Sequence, residues 1–255
     1  MGVCMVATTM GAERAETRWF YVGMAAVFVV VAFGGFIPTY WSKIAAGTFG
    51  GAPILHIHGL IFFTWTLFYL AQTSLVAVGR TYDHRSWGLA GIALATAMCF
   101  TVVLAAINSI KVAEAIGMGD QARQFSIVSL SGVVVFAALF GAAIANNTRA
   151  DVHKRLMLLS TIPLMEAASA RVFMVLLAPP GAVGPPPVQA TIPPSIFVDV
   201  LIVVAMVYDW RTRGRPHPVY VWGGAAIVLS QIAAIALAGT PGWMAVATWV
   251  ESLTG

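Results

Sequence analysis

The sequence predicts an all-α integral membrane protein, a bundle of seven transmembrane helices with the N-terminus in the cytoplasm and the C-terminus outside. Three observations carry this. The composition is 59% hydrophobic with a mean hydropathy of +0.86, and only 9% of residues are charged, against roughly 25% in a soluble domain. Apolar runs of about 20 residues, enough to cross a hydrocarbon core of roughly 30 Å, recur along the chain. The basic residues gather in alternate connections. No soluble fold of 255 residues has enough interior to hide this much apolar surface. A cytosolic enzyme, a disordered tail and a secreted disulfide scaffold are excluded, and Cys4 and Cys99 give no thiolate metal spacing. The net charge of +4 is scattered over short loops, so nucleic acid is not the partner; the lipid bilayer is.

The first run, near 18–38, follows Arg14 and Arg18 and continues to Trp41 without a small-residue cleavage pattern, so it reads as a retained signal anchor. The following runs fall near 55–79, 85–107 and 124–146, the last rich in Ser and Gly. A fifth spans 154–177, a sixth, short and carrying Asp199, spans 195–209, and the seventh spans 217–239. Between the fifth and sixth, Ala178 to Pro194 holds seven of the thirteen prolines and no charge, which predicts a semi-rigid extended cap. After Gly239, the stretch from Trp243 to Leu253 suits an interfacial helix. Residues 1–17 form a cytoplasmic segment, 18–240 the helical domain and 241–255 an interfacial C-terminal segment. Ten basic residues (Arg14, Arg18, Arg80, Arg85, Arg149, Lys154, Arg155, Arg211, Arg213 and Arg215) fall on one side and three (Lys43, Lys111 and Arg123) on the other. Positive charge stays inside, which sets the orientation. These loop and helix-end charges need no function beyond that.

Inside a bilayer an ionisable side chain costs roughly 2.5 to 3.5 kcal/mol at a helix centre, so each is a candidate for function. Glu166 and Arg171 lie in the fifth run and Asp199 in the sixth. By helix rise, Arg171 and Asp199 sit at similar depth below the outer surface, which predicts an ion pair between them, either a clamp between helices or part of a substrate or proton path. Glu166, about 140° from Arg171 around the helix, is left without a nameable partner. With His58, Tyr69 and Gln72 these three would form a polar pocket for a quinone, metal ion or proton exchange. Trp65, Thr66 and Thr73 share the His58 stripe, which packing and interhelical hydrogen bonds explain equally.

His56 and His58 open the second run; two apart, they point about 200° from each other on a helix, and they offer an outer metal site only if the chain after Pro53 is extended. His84 opens the third run and His153 the fifth, both at the cytoplasmic end. Gly88, Gly91 and Ala95 share the His84 face, leaving a flat surface above the imidazole. Such a surface suits a porphyrin ligated from the same helix, and it suits close helix packing equally. His153 shares a face with Ser160, Leu164 and Arg171 if the helix is regular. Two imidazoles at one depth on different helices are what a bis-histidine haem b requires, with His84 and His153 as axial ligands and Gly88 and Gly91 making room. In the segments Asp83-His84-Arg85 and Asp151-Val152-His153-Lys154-Arg155 a solvated or capping histidine that meets lipid phosphate is the competing reading.

The runs His56-Ile57-His58-Gly59, His84-Arg85-Ser86-Trp87-Gly88-Leu89-Ala90-Gly91 and His153-Lys154-Arg155-Leu156-Met157-Leu158-Leu159, with Arg171, resemble a group of uncharacterised bacterial polytopic membrane proteins. The tail Arg213-Gly214-Arg215-Pro216-His217-Pro218-Val219-Tyr220-Val221-Trp222-Gly223-Gly224 resembles the same group. The likeness covers residues 54 to about 243 and implies a location in the bacterial cytoplasmic membrane. More distantly, histidines heading successive helices are similar to those of the four-helix membrane cytochromes b, which hold haem between helix pairs. The fourth run lacks a histidine, so the comparison leaves at most one haem, on His84 and His153.

The leading expectation is a metal centre, one haem b, in a redox or cofactor-handling role. A small transporter with a path along His58, Tyr69, Gln72, Glu166 and Arg171 is the alternative from another class. A third is an accessory subunit that docks on a larger membrane complex without chemistry of its own. An outer metal hydrolase built on His56, His58, Glu166 and Asp199 ranks last, because Glu166 lies about 10 Å deeper than the others.

Overall fold

The computed structural model describes the backbone of residues 2–254 and the side chains of residues 18–254. Arg14 and Cys4 lie outside the described side chains. The described residues form helices and no strands. Helix α1 runs Gly2–Gly35 and passes through a π-helical turn, Ile37–Trp41, into the short α2, Ser42–Ala45. Then come α3 (Pro53–Ala77), α4 (Thr81–Glu114) and α5 (Gly119–Ala145). The next span is broken: α6 (Ala150–Thr161), a 3-10 turn Ile162–Leu164, then α7 (Met165–Leu177). A second 3-10 turn, Val188–Thr191, leads into α8 (Ile192–Arg213), followed by α9 (Pro218–Leu237) and α10 (Pro241–Glu251). Seven helical stretches are long and apolar enough to cross a membrane, from Arg18–Ala45 to Pro218–Leu237.

Large apolar side chains at mid-helix point outward, among them Val30, Leu60, Phe100, Val134 and Leu229. In water this surface would be unstable; against lipid tails it has no cost. Exposed Trp19, Tyr82, Trp87, Trp210 and Trp222 cluster near the ends of helices that carry the basic loops, where indole and phenol groups sit at the headgroup level. That end is called the basic end below, and the other the proline-rich end.

Helix boundaries follow the residues that permit them. Pro53 opens α3 at a position needing no N–H. Gly214, left-handed at φ 75°, closes α8. His217 Nδ1 accepts from Val219 N at 3.1 Å, capping α9, and Thr240 Oγ1 accepts from Trp243 N at 3.3 Å, capping α10. The expected extended cap over 178–194 ends earlier, because Pro193 and Pro194 sit in the first turn of α8, where proline is pre-organised for helix. The sixth span is accordingly 26 residues, Val188–Arg213, instead of the 195–209 that hydropathy suggests.

The broken span is central. Its α6 half packs on α5 and α9, its α7 half on α1 and α8, while α3 lies between α1 and α4. Pro163 in the 3-10 turn lacks the N–H a continuous helix would use. The tightest approach in this region is at Gly35, where any Cβ would run into the Ala168 backbone of α7. Helix α10 does more than lie at an interface. It packs on α4 and α5, with Trp243 Nε1 donating to Arg123 O at 2.8 Å. The Arg123 guanidinium gathers Glu251 at 2.9 Å, Asp120 at 3.0 Å and Glu114.

Candidate functional site

The polar residues of the membrane interior fall into four groups. The first is the pair predicted to ligate a metal. Helix starts at Thr81 and Ala150 bring His84 and His153 together at the basic end, with ring centroids 6.3 Å apart and planes at 73°. His153 Nδ1 lies 2.8 Å from Ala143 O on α5. A carbonyl only accepts, so Nδ1 carries the hydrogen, and in the neutral imidazole the lone pair is on Nε2. His84 Nδ1 is buried without a well-formed hydrogen bond, the Gln72 backbone being its polar neighbour. Above His84, a Cβ at Gly88 would meet open space, whereas at Gly91 it would meet Phe68 at 2.8 Å. Gly91 therefore serves α3–α4 packing and is not left open for a macrocycle.

The second group replaces the predicted Arg171–Asp199 ion pair, which the structure does not form. Asp199 accepts from Gln231 Nε2 of α9 at 3.3 Å and heads an apolar cleft between α8 and α9 lined by Ile202, Met206, Tyr220 and Gly224. Glu166 accepts from Ser195 Oγ of α8 at 3.1 Å, which supplies the partner the sequence did not name. The reason is azimuth. Arg171 and Asp199 share depth, but α7 turns Glu166, not Arg171, toward α8.

Arg171 makes up the third group. Its Nη1 donates to Ala167 O at 2.5 Å and its guanidinium lies 4.0 Å over the Phe36 ring. His58 is within its electrostatic reach, and the Thr101 backbone of α4 is the polar neighbour of the buried His58 imidazole. Gln72 lies 14 residues from His58, about 21 Å along α3, and belongs to the His84 end. Tyr69 packs against Phe28 of α1, centroids 5.9 Å apart. The six residues expected to share one pocket are thus dispersed over both ends of the bundle. His56 and His58 do not share an ion either, since α3 is helical from Pro53; His56 Nδ1 is 2.8 Å from Tyr40 Oη. The expected face shared by His153, Leu164 and Arg171 is broken by the 3-10 turn, whose tighter winding rotates α7 against α6.

The fourth group consists of charges that the sequence places in loops and at helix ends. Arg155 and Asp209 are both 1% exposed and form a bidentate pair, Nε to Oδ2 at 2.8 Å and Nη2 to Oδ1 at 2.7 Å. Arg155 Nη1 donates to Asp151 O at 2.7 Å, and His217 N donates to Asp209 Oδ2 at 3.2 Å. Tyr21 and Tyr220 hydroxyls meet at 3.2 Å, and Lys154 lies 5.1 Å over the Tyr21 ring. The cluster joins α1, α6, α8 and α9. A signal was present: Asp209 continues the buried stripe Val198, Ile202, Ala205 at helical spacing, and Arg155 precedes the buried Leu158, Leu159 and Ile162.

Among the described residues no three His, Cys, Asp or Glu side chains come together as a metal-binding group. The chain matches no family model, no curated protein and no solved structure.

Proposed function

We propose that this multi-pass membrane protein holds one haem b between His84 and His153 at the cytoplasmic end of its bundle, in an electron-transfer or cofactor-handling role in the bacterial cytoplasmic membrane. The observation that supports it is the imidazole pair 6.3 Å apart on two helices. Two imidazoles each holding a shared metal ion through a nitrogen about 2 Å away would have ring centres separated by about this much. A bare zinc ion asks for four ligands, whereas a porphyrin brings four nitrogens and needs only two more. A site with two histidines and no third ligand nearby fits the second case.

The chain's own residues would act as follows. Ala143 O engages His153 Nδ1, which would leave Nε2 as the nitrogen free to ligate. His84 Nδ1 is buried beside the Gln72 backbone without a well-formed hydrogen bond. Gly88 leaves the face beside it open, and Arg85 and Lys154, next in sequence to the two histidines, are the cations nearest in the chain for the propionate carboxylates. When bound, haem supplies one-electron exchange. The placing of histidines at helix ends, as in the four-helix membrane cytochromes b, points the same way.

The test is the haem content of protein purified from cells grown with haem available. One haem per chain is expected for the wild type, less than a tenth of that for His84→Ala and His153→Ala, and no change for His56→Ala. A wild type without haem, or both variants retaining it, overturns the reading.

A further inference from the structure

We propose that Arg171 anchors an oxyanion site in the proline-rich half of the bundle, taking the carboxylate or phosphate group of an amphiphilic molecule. Arg171 lies six residues before Leu177, about 9 Å inside the helix end. Its side chain does not reach outward to headgroups. It folds back to Ala167 O, one turn deeper, and lies over Phe36. A guanidinium at this depth requires a counter-charge, and the described carboxylates are engaged elsewhere. Glu166 and Asp199 bond Ser195 and Gln231. Glu114, Asp120 and Glu251 are gathered by Arg123, and Asp83, Asp151 and Asp209 lie at the basic end. The guanidinium carries five N–H donors in a planar fork matched to an oxyanion, and one protein acceptor is bonded to it.

A second observation points to the same ligand. Thr39 Oγ1 and Trp41 Nε1, in the π-helical turn that packs on α7, are buried with no hydrogen-bond partner. Trp41 Nε1 can only donate, and Thr39 Oγ1 can donate. Two unspent groups of this kind and a cation where the π-helical turn meets α7 fit an acceptor-rich, negatively charged group. The aromatic surroundings, Phe33, Phe36 and Phe63, fit the apolar body attached to it. This site is separate from the histidine pair and stands whether or not haem binds there.

Two sources share this chemistry, and two arms separate them. In the first, the protein in phosphate-free maltoside detergent is titrated with dioleoyl phosphatidylglycerol and bound lipid is counted by native mass spectrometry. In the second, the shift in melting temperature is read with benzoate in lipid-free detergent. Retention of one lipid by the wild type, at least tenfold weaker in Arg171→Gln, assigns the site to a headgroup phosphate. A benzoate shift of several degrees that Arg171→Gln loses assigns it to a free carboxylate. Arg171→Lys, which keeps the charge and loses the fork, should fall between. If Arg171→Gln does not fold, Trp41→Phe and Thr39→Val must each weaken binding several-fold with the guanidinium intact. Equal lipid retention and equal benzoate response in wild type and variants overturn the proposal.

Discussion

At the scale of single residues, the charges that matter most are not those that hydropathy singles out. Arg155 and Asp209, 54 positions apart, sit near the ends of their helices, and by depth alone they belong at the headgroup level. They are sealed there by Tyr21, Tyr220 and the His217 segment. Removing one partner of such a pair leaves the other buried and unpaired, at a cost of about 3–5 kcal/mol. Arg155→Ala or Asp209→Ala should therefore lower the melting temperature of the detergent-solubilised protein sharply. The paired replacement Arg155→Met with Asp209→Leu should regain most of the loss. Single variants that melt like the wild type would show the pair to be dispensable. His217 beside this cluster titrates. Burial, then the Arg155 charge, hold its imidazole below the ordinary value near 6.5, with Arg213 adding to the effect and Asp151 and Asp209 opposing it. As pH falls below about 6.5, the unfolded chain takes up a proton that the folded chain refuses. Stability is thus full above that pH and declines until the folded value is passed. His217→Asn keeps a capping acceptor and should flatten melting temperature between pH 7 and 5; an unchanged slope would locate the titration elsewhere.

At the scale of elements, the broken fifth span decides which side chains meet. Helical periodicity was legible in the sequence, and so were the seven spans, because lipid-facing and core positions are both apolar and hydropathy integrates over them. What periodicity does not cross is the 3-10 turn Ile162–Leu164. A face extrapolated from His153 to Arg171 loses its register there, which is why Arg171 meets Phe36 and Glu166 meets Ser195. The His84–His153 pairing was legible because each residue opens its own helix and no break intervenes. Depth along a helix follows from counting, whereas azimuth between helices depends on packing that one sequence does not reveal. The close contact of α1 with α7 gives a direct check. Gly35→Val, placing a side chain against the Ala168 backbone, should lower the melting temperature by several degrees, and Gly34→Val, which faces open space, should not. Equal effects would contradict the packing of these two helices.

At the scale of the whole molecule, seven spans place the N-terminus and the C-terminal helix on opposite sides of the membrane, and the basic loops choose which. Cysteines introduced into a Cys4→Ala, Cys99→Ala background at Arg149 and at Ala182 should react with an impermeant thiol reagent from opposite faces, Ala182 from outside the cell. The polar interior divides in the same way. The histidine pair and the Arg155–Asp209 cluster lie at the basic end; Arg171, Glu166 and Asp199 lie toward the other. The proposed function depends on the histidine pair alone, and an optical spectrum reads it without mutation. The dithionite-reduced wild type, purified from haem-supplied cells, should show a Soret band with the sharp α and β bands of low-spin, six-coordinate haem. A high-spin, five-coordinate spectrum, or no Soret band at all, would contradict bis-histidine ligation by His84 and His153.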